Sequence, residues 1–333
     1  CASTALQRAK ESQLSKYMVY DSEFGNVLSR AQIMEQDLII SIQKKQFVMF
    51  YQPQYDSSKK KIIGLEALIR WNNPKYRNEN PENYIKMAEK NGAIVELGRL
   101  IIDESFKFAK TIEDTGIHIS INVSPAQLLH SGFVNEVLNL FKQYQLKKNS
   151  IAIEITETFL MENSEVVIAK IKILREAGFE IHLDDFGTGY SSILYLKDLP
   201  IDVIKIDKEF TNKFLIDKYS RVITTKIAQM AFGLDLKTIV EGVTTEKQMK
   251  AFAKIGCNVI QGYYISKPVD NIKIVELIKE INGEEGLTKK VKKTVSVKVE
   301  DTFTPEEISK NLEKEKNKSK EIDSKEKNND ISS

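Results

Sequence analysis

Apolar positions along this chain follow two rhythms. Short, nearly continuous apolar runs occupy Phe47 to Tyr51 and Ile62 to Ile69, and Ser57-Ser58-Lys59-Lys60 between them makes a turn. This pattern predicts an antiparallel hairpin, with Gln52-Pro53-Gln54 at the end of its first strand. After it one unit repeats: a segment of helical period, then a short β-branched run with a polar residue at its end. Helices predicted at Tyr84–Asn91 and Leu97–Thr111 lead to a strand at His118–Val123. A helix near Phe133–Tyr144 leads to Ser150–Ile155, Glu165–Ala177 to Phe179–Leu183, and a short helix at Tyr190–Leu196 to Val203–Ile206. Tyr219–Phe232 precedes Leu236–Val240, Glu246–Ile255 precedes Val259–Tyr263, and a helix at Asn271–Ile281 closes the series. Alternation of this kind builds parallel βαβ units. About eight strands in roughly 240 residues favour closure over an open sheet. The expected fold is α/β, a TIM-like (β/α)8 barrel variant with one antiparallel strand.

The two ends differ from this body. Leu6, Ala9 and Leu14 sit among polar residues in a helix-like stretch, and Tyr17-Met18-Val19-Tyr20 reads as a short strand. A second amphipathic helix carries Val27, Leu28, Ile33, Met34, Leu38, Ile39, Ile40 and Ile42 at helical spacing and is expected to connect or pack. From Thr304 to Ser333 the aliphatic residues are Ile308, Leu312, Ile322 and Ile331, with no aromatic. Such a segment cannot bury enough apolar surface to offset its ordering entropy, so a disordered tail or solvated helix is expected there.

Composition narrows the class. With 41% hydrophobic and 29% charged residues the 333-residue chain is globular, and a net charge of +2 gives no reason to expect binding to a DNA or RNA polymer. No apolar run approaches the roughly 18 residues of a membrane span, and no signal peptide is visible. Cys1 and Cys257 form no CxxC pair, which fits a reducing, cytoplasmic setting. The sequence opens on cysteine, consistent with a trimmed or partial chain whose upstream parent carries any membrane attachment.

The chemistry gathers at Asp184-Asp185-Phe186-Gly187-Thr188-Gly189-Tyr190-Ser191-Ser192. Two adjacent carboxylates repel when ionised and call for a cation beside them, and hard oxygen donors suit magnesium, manganese or calcium. The glycines let the backbone take positive φ and a ligand approach closely. Taken alone, the stretch is equally well an Asp-rich turn with a cap at Ser191. In a barrel, however, strand C-termini converge. Those ends here carry Glu66, Asn122, Glu154 with Glu157, Asp184 with Asp185, Lys205 with Asp207, Glu241 and Gln261. One strand-end Glu is commonly a solvated cap; this set converging on one face predicts an acidic metal site. Glu66, Asn122, Glu154 and Asp184 supply oxygens for one octahedral ion, and Asp185 for a second. Lys205 is placed to hold a water and Glu241 to take its proton. The bland reading of Lys205, an ion pair to a neighbouring carboxylate, is compatible with that role.

These residues also carry a resemblance. Glu66-Ala67-Leu68-Ile69-Arg70-Trp71 resembles the signature of the EAL domain, the cyclic-di-GMP (c-di-GMP) phosphodiesterase family. The likeness runs from about Arg30 to Ile281. It passes through Tyr51-Gln52-Pro53, Asn122-Val123-Ser124, Glu154-Ile155-Thr156-Glu157, Asp184 to Ser192, Lys205-Ile206-Asp207, Glu241-Gly242-Val243 and Gln261-Gly262-Tyr263. It implies Mg²⁺- or Mn²⁺-dependent hydrolysis of c-di-GMP to linear pGpG, with one or two ions, in a homodimer formed through the barrel. By the same resemblance Glu66, Asn122, Glu154, Asp184 and Asp185 bind metal, Lys205 orients the water and Glu241 is the base. Gln52, Leu68, Arg70 and Gln261 contact substrate or shape its pocket, and Glu157 anchors the loop from Asp185 to Ser192. Two departures stand out: Thr244 replaces a second Glu of the family's Ala-Glu-Gly-Val-Glu-Thr run, and Lys86 replaces a proline. The first residues, through Tyr17-Met18-Val19-Tyr20-Asp21, resemble the end of a GGDEF, diguanylate cyclase-like domain. The expected organisation is therefore a GGDEF remnant over 1–24, a connecting helix over 25–45, an EAL barrel over 46–285 and a charged tail over 286–333.

Two readings compete with an active phosphodiesterase. A c-di-GMP receptor would keep the fold without turnover, but such proteins typically lack metal ligands or the base, and all are present here. A barrel lyase with Lys205 as base, or an aldolase using it as a Schiff-base amine, requires a lowered lysine pKa. A nest of carboxylates raises it instead.

Overall fold

The computed structural model describes residues 22–162, 164–187 and 196–283, without side-chain detail at 22–29 and 161–164. The remnant read over most of 1–24, the helix expected at Tyr190–Leu196 up to its last residue, and the tail over 286–333 lie outside the described residues.

Helix α1, Ser22–Gln43, buries Met34, Leu38, Ser41 and Ile42 and leaves Ile33, Ile39 and Ile40 exposed. It ends in a turn where Lys45 takes a φ of 53°, and β1, Phe47–Asp56, begins. Strand β2, Lys61–Trp71, returns antiparallel, with Phe47 opposite Trp71 and Asp56 opposite Lys61. A four-residue connection permits nothing else, since parallel neighbours need a crossover of a dozen or more residues. Asp56 Oδ1 organises the turn by accepting from the backbone N–H groups of Ser58 and Lys59 and from the Ser58 hydroxyl. Both strands run longer than their apolar runs suggest, because β1 continues through Pro53 to pair with strands on both sides.

Helices α2, Pro81–Asn91, and α3, Ile94–Ile112, lead to β3, His118–Asn122. Tyr84 of α2 donates its hydroxyl to the Ile69 carbonyl at 3.0 Å and packs with Phe47 and Trp71, which clamps the helix onto the hairpin. Helices α4, Pro125–Leu129, and α5, Phe133–Gln143, precede β4, Ile151–Thr156. Helices α6, Glu157–Glu162, and α7, Ser164–Ala177, precede β5, Glu180–Phe186. Strand β6, Val203–Ile206, is followed by α8, Lys208–Lys213, and α9, Lys218–Gly233. Strand β7, Lys237–Val240, α10, Glu246–Ala253, and β8, Val259–Gln261, come next. The two-residue β9, Val269–Asp270, which the apolar pattern does not predict, and α11, Asn271–Asn282, complete the order. The short helices α4, α6 and α8 also escape the pattern, being less than two turns long. No described helix is long and apolar enough to cross a membrane.

Strands β2 to β8 pair in sequence, all parallel, and β1 closes the ring by pairing antiparallel with β8 and β2; β9 adds to β1 outside it. This is the closed eight-stranded barrel with one reversed strand. Its register makes two layers. One ladder is aliphatic: Ile121 pairs with Ile153, Ile153 with Ile181, Leu183 with Ile204, Ile206 with Val240 and Val240 with Ile260. These side chains are buried, and by the period of two the alternate residues line the interior. The interior set includes Glu66, Asn122, Glu154, Asp184 and Lys205, so the same register that buries the core turns the polar groups inward.

Gly262 sits at the seam where β8 meets β1. A Cβ there would lie 2.2 Å from the Val243 carbonyl oxygen and 2.4 Å from its nitrogen, backbone atoms that cannot swing away. Gly262→Ala should destabilise the fold by about 1–3 kcal/mol, as overpacking does. Gly233→Ala, with open space around it, should be neutral or add about 0.4–1 kcal/mol through the unfolded chain. Urea unfolding midpoints check the pair; equal effects would contradict the crowding at the seam.

Candidate active site

Lys205, third residue of β6, is fully buried in the middle of the barrel. Its Nζ lies 2.6 Å from Glu154 Oε2, 2.8 Å from Glu241 Oε1, 3.2 Å from Asp184 Oδ1 and 3.9 Å from Glu66 Oε2. The four carboxylates come from β4, the end of β7, β5 and β2, so closure of the ring is what brings them together. Glu66 is not at a strand end as expected: it lies mid-way along β2, because that strand outruns the barrel to stay paired with β1. Its place in the ring is nevertheless near the end of the segment that pairs with β3, Gly64 to Ala67.

Amides complete the inner ring. Asn122 Nδ2 donates to Glu66 Oε1 at 2.7 Å, and Gln261 Nε2 donates to Glu66 Oε2 and to Gln52 Oε1. Gln52 Nε2 in turn donates to the Ser266 carbonyl. Asp184 is buried while Asp185 is exposed and takes a φ of 54°, its N–H bonded to Asp184 Oδ1. That left-handed turn is what lets two consecutive Asp side chains address one site. One oxygen each from Asp184, Asp185 and Glu241 lies within 4.8 Å of the others. Glu157, buried at the start of α6, accepts from the Gly187 N–H at 2.9 Å and so ties the start of the following loop to β4.

Other expected positions stand further off. Leu68 and Arg70 are half-buried beyond Glu66 on the same strand; Arg70 donates to the Ile69 carbonyl and its guanidinium lies 5.5 Å from the Phe50 ring centroid. Asp207 does not join the ring, since its carboxylate caps α8 by accepting from the Glu209 N–H. Thr244 also faces away: its hydroxyl and N–H both donate to Gln248 at the start of α10.

Charge explains the electrostatics. Burial alone would lower the Lys205 pKa, but Asp184, Glu154, Glu241 and Glu66 hold it well above the ordinary lysine value. One ammonium cannot neutralise four carboxylates. Glu154 is drawn upward by burial, yet Lys205 and His182 outweigh this and hold it far below the usual range. Burial pushes Glu66 up to about 7 and Glu241 up to about 8, with Lys205 only partly offsetting it. The donor set is thus short of positive charge and made of oxygens, which fits a hard divalent cation; Asn122 keeps its amide oxygen for one because its nitrogen is bonded to Glu66.

Sequence reasoning missed Gln54, which donates to Ser120 Oγ and Gln261 Oε1 below the ring, and His182, 3.5 Å from Glu154. The signal was present: Gln52–Gln54, Ser120–Asn122 and His182–Asp184 are i, i+2 neighbours on inward strand faces.

The model of the EAL domain family matches residues 35–268. The bifunctional diguanylate cyclase/cyclic di-GMP phosphodiesterase MucR of Pseudomonas aeruginosa is 33% identical over 272 residues, 80% of this chain and 40% of its own length. The cyclic di-GMP phosphodiesterase PdeR of Escherichia coli is 32% identical over 270 residues, 80% of this chain and 41% of its own. The chain thus spans about two fifths of the length of these relatives. Among solved structures, the c-di-GMP complex of the PaMucR phosphodiesterase superposes with a TM-score of 0.69 at 34% identity, covering 72% of this chain and 98% of that one. With the family match extending over more than half of its length, and with the barrel and inner ring just described, the chain belongs to the EAL domain family.

Proposed function

We propose that this chain hydrolyses one phosphodiester of c-di-GMP to linear pGpG with the help of Mg²⁺ or Mn²⁺. The observation that carries this is the ring of Glu66, Glu154, Asp184 and Glu241 about Lys205, in a member of a family whose relatives are described as c-di-GMP phosphodiesterases. Glu66, Asn122, Glu154 and Asp184 would hold one ion and Asp185 would contribute to a second; bound there, the ions supply Lewis acidity and positive charge for phosphoryl displacement.

The chain's own groups do the rest. Lys205 Nζ hydrogen-bonds Glu154 Oε2 and stands within ion-pair distance of Glu241 and Asp184. Of these contacts the one to Asp184, at 3.2 Å, is the longest and the first that a bound water would displace. Glu241 uses Oε1 on Lys205 and keeps Oε2 to accept the proton of the attacking water. A lysine held this firmly as ammonium is unsuited to Schiff-base chemistry, which removes the aldolase reading. Half-buried Arg70 would suit a phosphate oxygen, and Gln52, Leu68 and Gln261 would contact the substrate or shape its pocket. Glu157 would transmit the position of the Asp185–Ser192 loop to the acidic ring through the Gly187 N–H. MucR's description as bifunctional supports reading 1–24 as the end of a GGDEF-like domain, and the exposed apolar row Ile216, Tyr219, Val222 and Ile223 supports self-association.

Purified chain with Mg²⁺ or Mn²⁺ should convert c-di-GMP to pGpG, and EDTA or Glu66→Ala should abolish it. Glu241→Gln should lower kcat by about 10²–10⁴-fold with c-di-GMP binding retained. Tight binding of c-di-GMP by the parent chain without product would replace this proposal with the receptor reading.

Metal-free protein should show a defined pH trend. Glu66 and Glu241 have folded-state pKa values raised to about 7 and about 8, so the folded chain holds protons that the unfolded chain releases. The stability this gives is complete below the ordinary carboxylate range and is lost as pH rises through those values. A divalent cation takes over the protons' role, so Mg²⁺ should raise the Tm more at pH 8 than at low pH. Parallel Tm curves with Mg²⁺ and with EDTA would contradict the metal assignment. Light scattering checks self-association, and a monomer at every concentration would remove it.

A further inference from the structure

Beneath the acidic ring the barrel interior stays polar, where such barrels are ordinarily filled by branched aliphatic side chains. His118 opens β3, Glu180 opens β5, and His182 lies two residues further on the same inward face. One donor atom from each of the three lies within 4.8 Å of the others. None of them has a part in the hydrolysis argued above.

The surrounding hydrogen bonds assign the protons. Gln54 Nε2 donates to Ser120 Oγ and Gln261 Oε1, which turns Gln54 Oε1 towards His118 Nε2 at 3.0 Å. His118 Nε2 therefore carries the proton and Nδ1 the lone pair. Burial pushes His118 down to about 4, so this ring is neutral. His182 lies between two carboxylates, with Nδ1 3.5 Å from Glu154 Oε1 and Nε2 3.4 Å from Glu180 Oε2. Both separations exceed the roughly 2.7–2.9 Å of a charge-assisted hydrogen bond. His182 Nδ1 and Glu154 Oε1 are fully buried with no hydrogen-bond partner among the described residues. His182 Nε2 and Glu180 Oε2 face each other across 3.4 Å, about the separation of two donors that each stand roughly 2.0–2.1 Å from one tetrahedral ion. The other Glu180 oxygen accepts from Lys237 Nζ at 2.8 Å, and that lysine is exposed, so the cluster has a route to solvent at this end of the barrel.

We propose that His118, His182 and Glu180 form a second metal site, for a divalent transition-metal ion of the zinc class, at the N-terminal end of the barrel. Two imidazoles and a carboxylate with a fourth position left for water are a donor set such ions take. His118 is oriented by Gln54, in the manner of an outer-shell partner that fixes a ligand's tautomer. Glu154 Oε2 is on Lys205, so the lower site would steady one carboxylate of the upper ring through His182. A metal-free imidazolium bridging Glu154 and Glu180 explains two of these contacts but gives His118 no part.

The test is binding of Co²⁺ and Zn²⁺ to the full chain after chelation and dialysis, in the parent and in Asp184→Asn, which weakens the upper ring. One Co²⁺ should bind with the ligand-field absorption of a tetrahedral nitrogen–oxygen site and persist in Asp184→Asn. Its affinity should fall roughly 100-fold or more in His118→Gln and in Glu180→Gln, since even outer-shell losses cost about 10–100-fold. Zn²⁺ should raise the Tm of the parent and leave that of His118→Gln unchanged. Circular dichroism confirms folding, and if His118→Gln does not fold, the isosteric Glu180→Gln decides. Undiminished Co²⁺ binding in the folded variants, or none beyond what Asp184→Asn removes, overturns the proposal in favour of the imidazolium bridge. Because the readout is metal binding, failure here leaves the c-di-GMP reading untouched.

Discussion

A lysine ammonium buried at the centre of the barrel is the constraint from which the rest of this structure can be understood. Taking Lys205 out of water costs several kcal/mol unless close opposite charges replace its hydration. Glu154, Asp184, Glu241 and Glu66 do so, and they come from four different strands or strand ends. No local segment can assemble that ring. The exchange also works in reverse: four carboxylates about one amine leave a surplus of negative charge, held as raised pKa values at Glu66 and Glu241. Stability and chemistry thus come from one imbalance, which protons or a divalent cation can relieve.

The reversed first strand gives the barrel its asymmetry. A four-residue turn makes β1 antiparallel to β2, and the ring can then close only with a second antiparallel contact to β8. Gln52, Gln54 and Gln261 meet across that seam and join by their amides. Side chains that would be aliphatic in a regular barrel become a hydrogen-bonded layer supporting Glu66 from one side, as Asn122 does from the other. Crowding at Gly262, against the Val243 backbone, belongs to the same seam.

Below the ring, the polar interior continues through Ser120, His118, His182 and Glu180. Buried polar groups carry a desolvation cost unless they find partners. Here each partner leads to another, from Gln261 through Gln54 to His118, and from Glu154 through His182 to Glu180. Both chains begin at groups of the upper ring. The two ends of the barrel are therefore physically linked.

Much of this was written in the order of residues. Period-two and period-3.6 patterns determine the strand–helix alternation, because one face of each element must be buried, and the short turn at Ser57–Lys60 determines the reversed strand. Acidic and amide residues ending successive strands point to one converging site, since a closed parallel sheet has only one C-terminal mouth. What only the tertiary structure decided is which of those groups share a space. Asp207 looks like a member of the site in sequence, yet its carboxylate caps the following helix, and Thr244, close to Glu241 in the chain, is held by Gln248. Glu66 looks like a strand end and is mid-strand, because β2 follows β1 beyond the barrel. His118 and His182 lie 64 residues apart in the chain and carry no local mark. Their meeting depends on the stagger between β3 and β5, a property of the closed ring that no window of sequence contains.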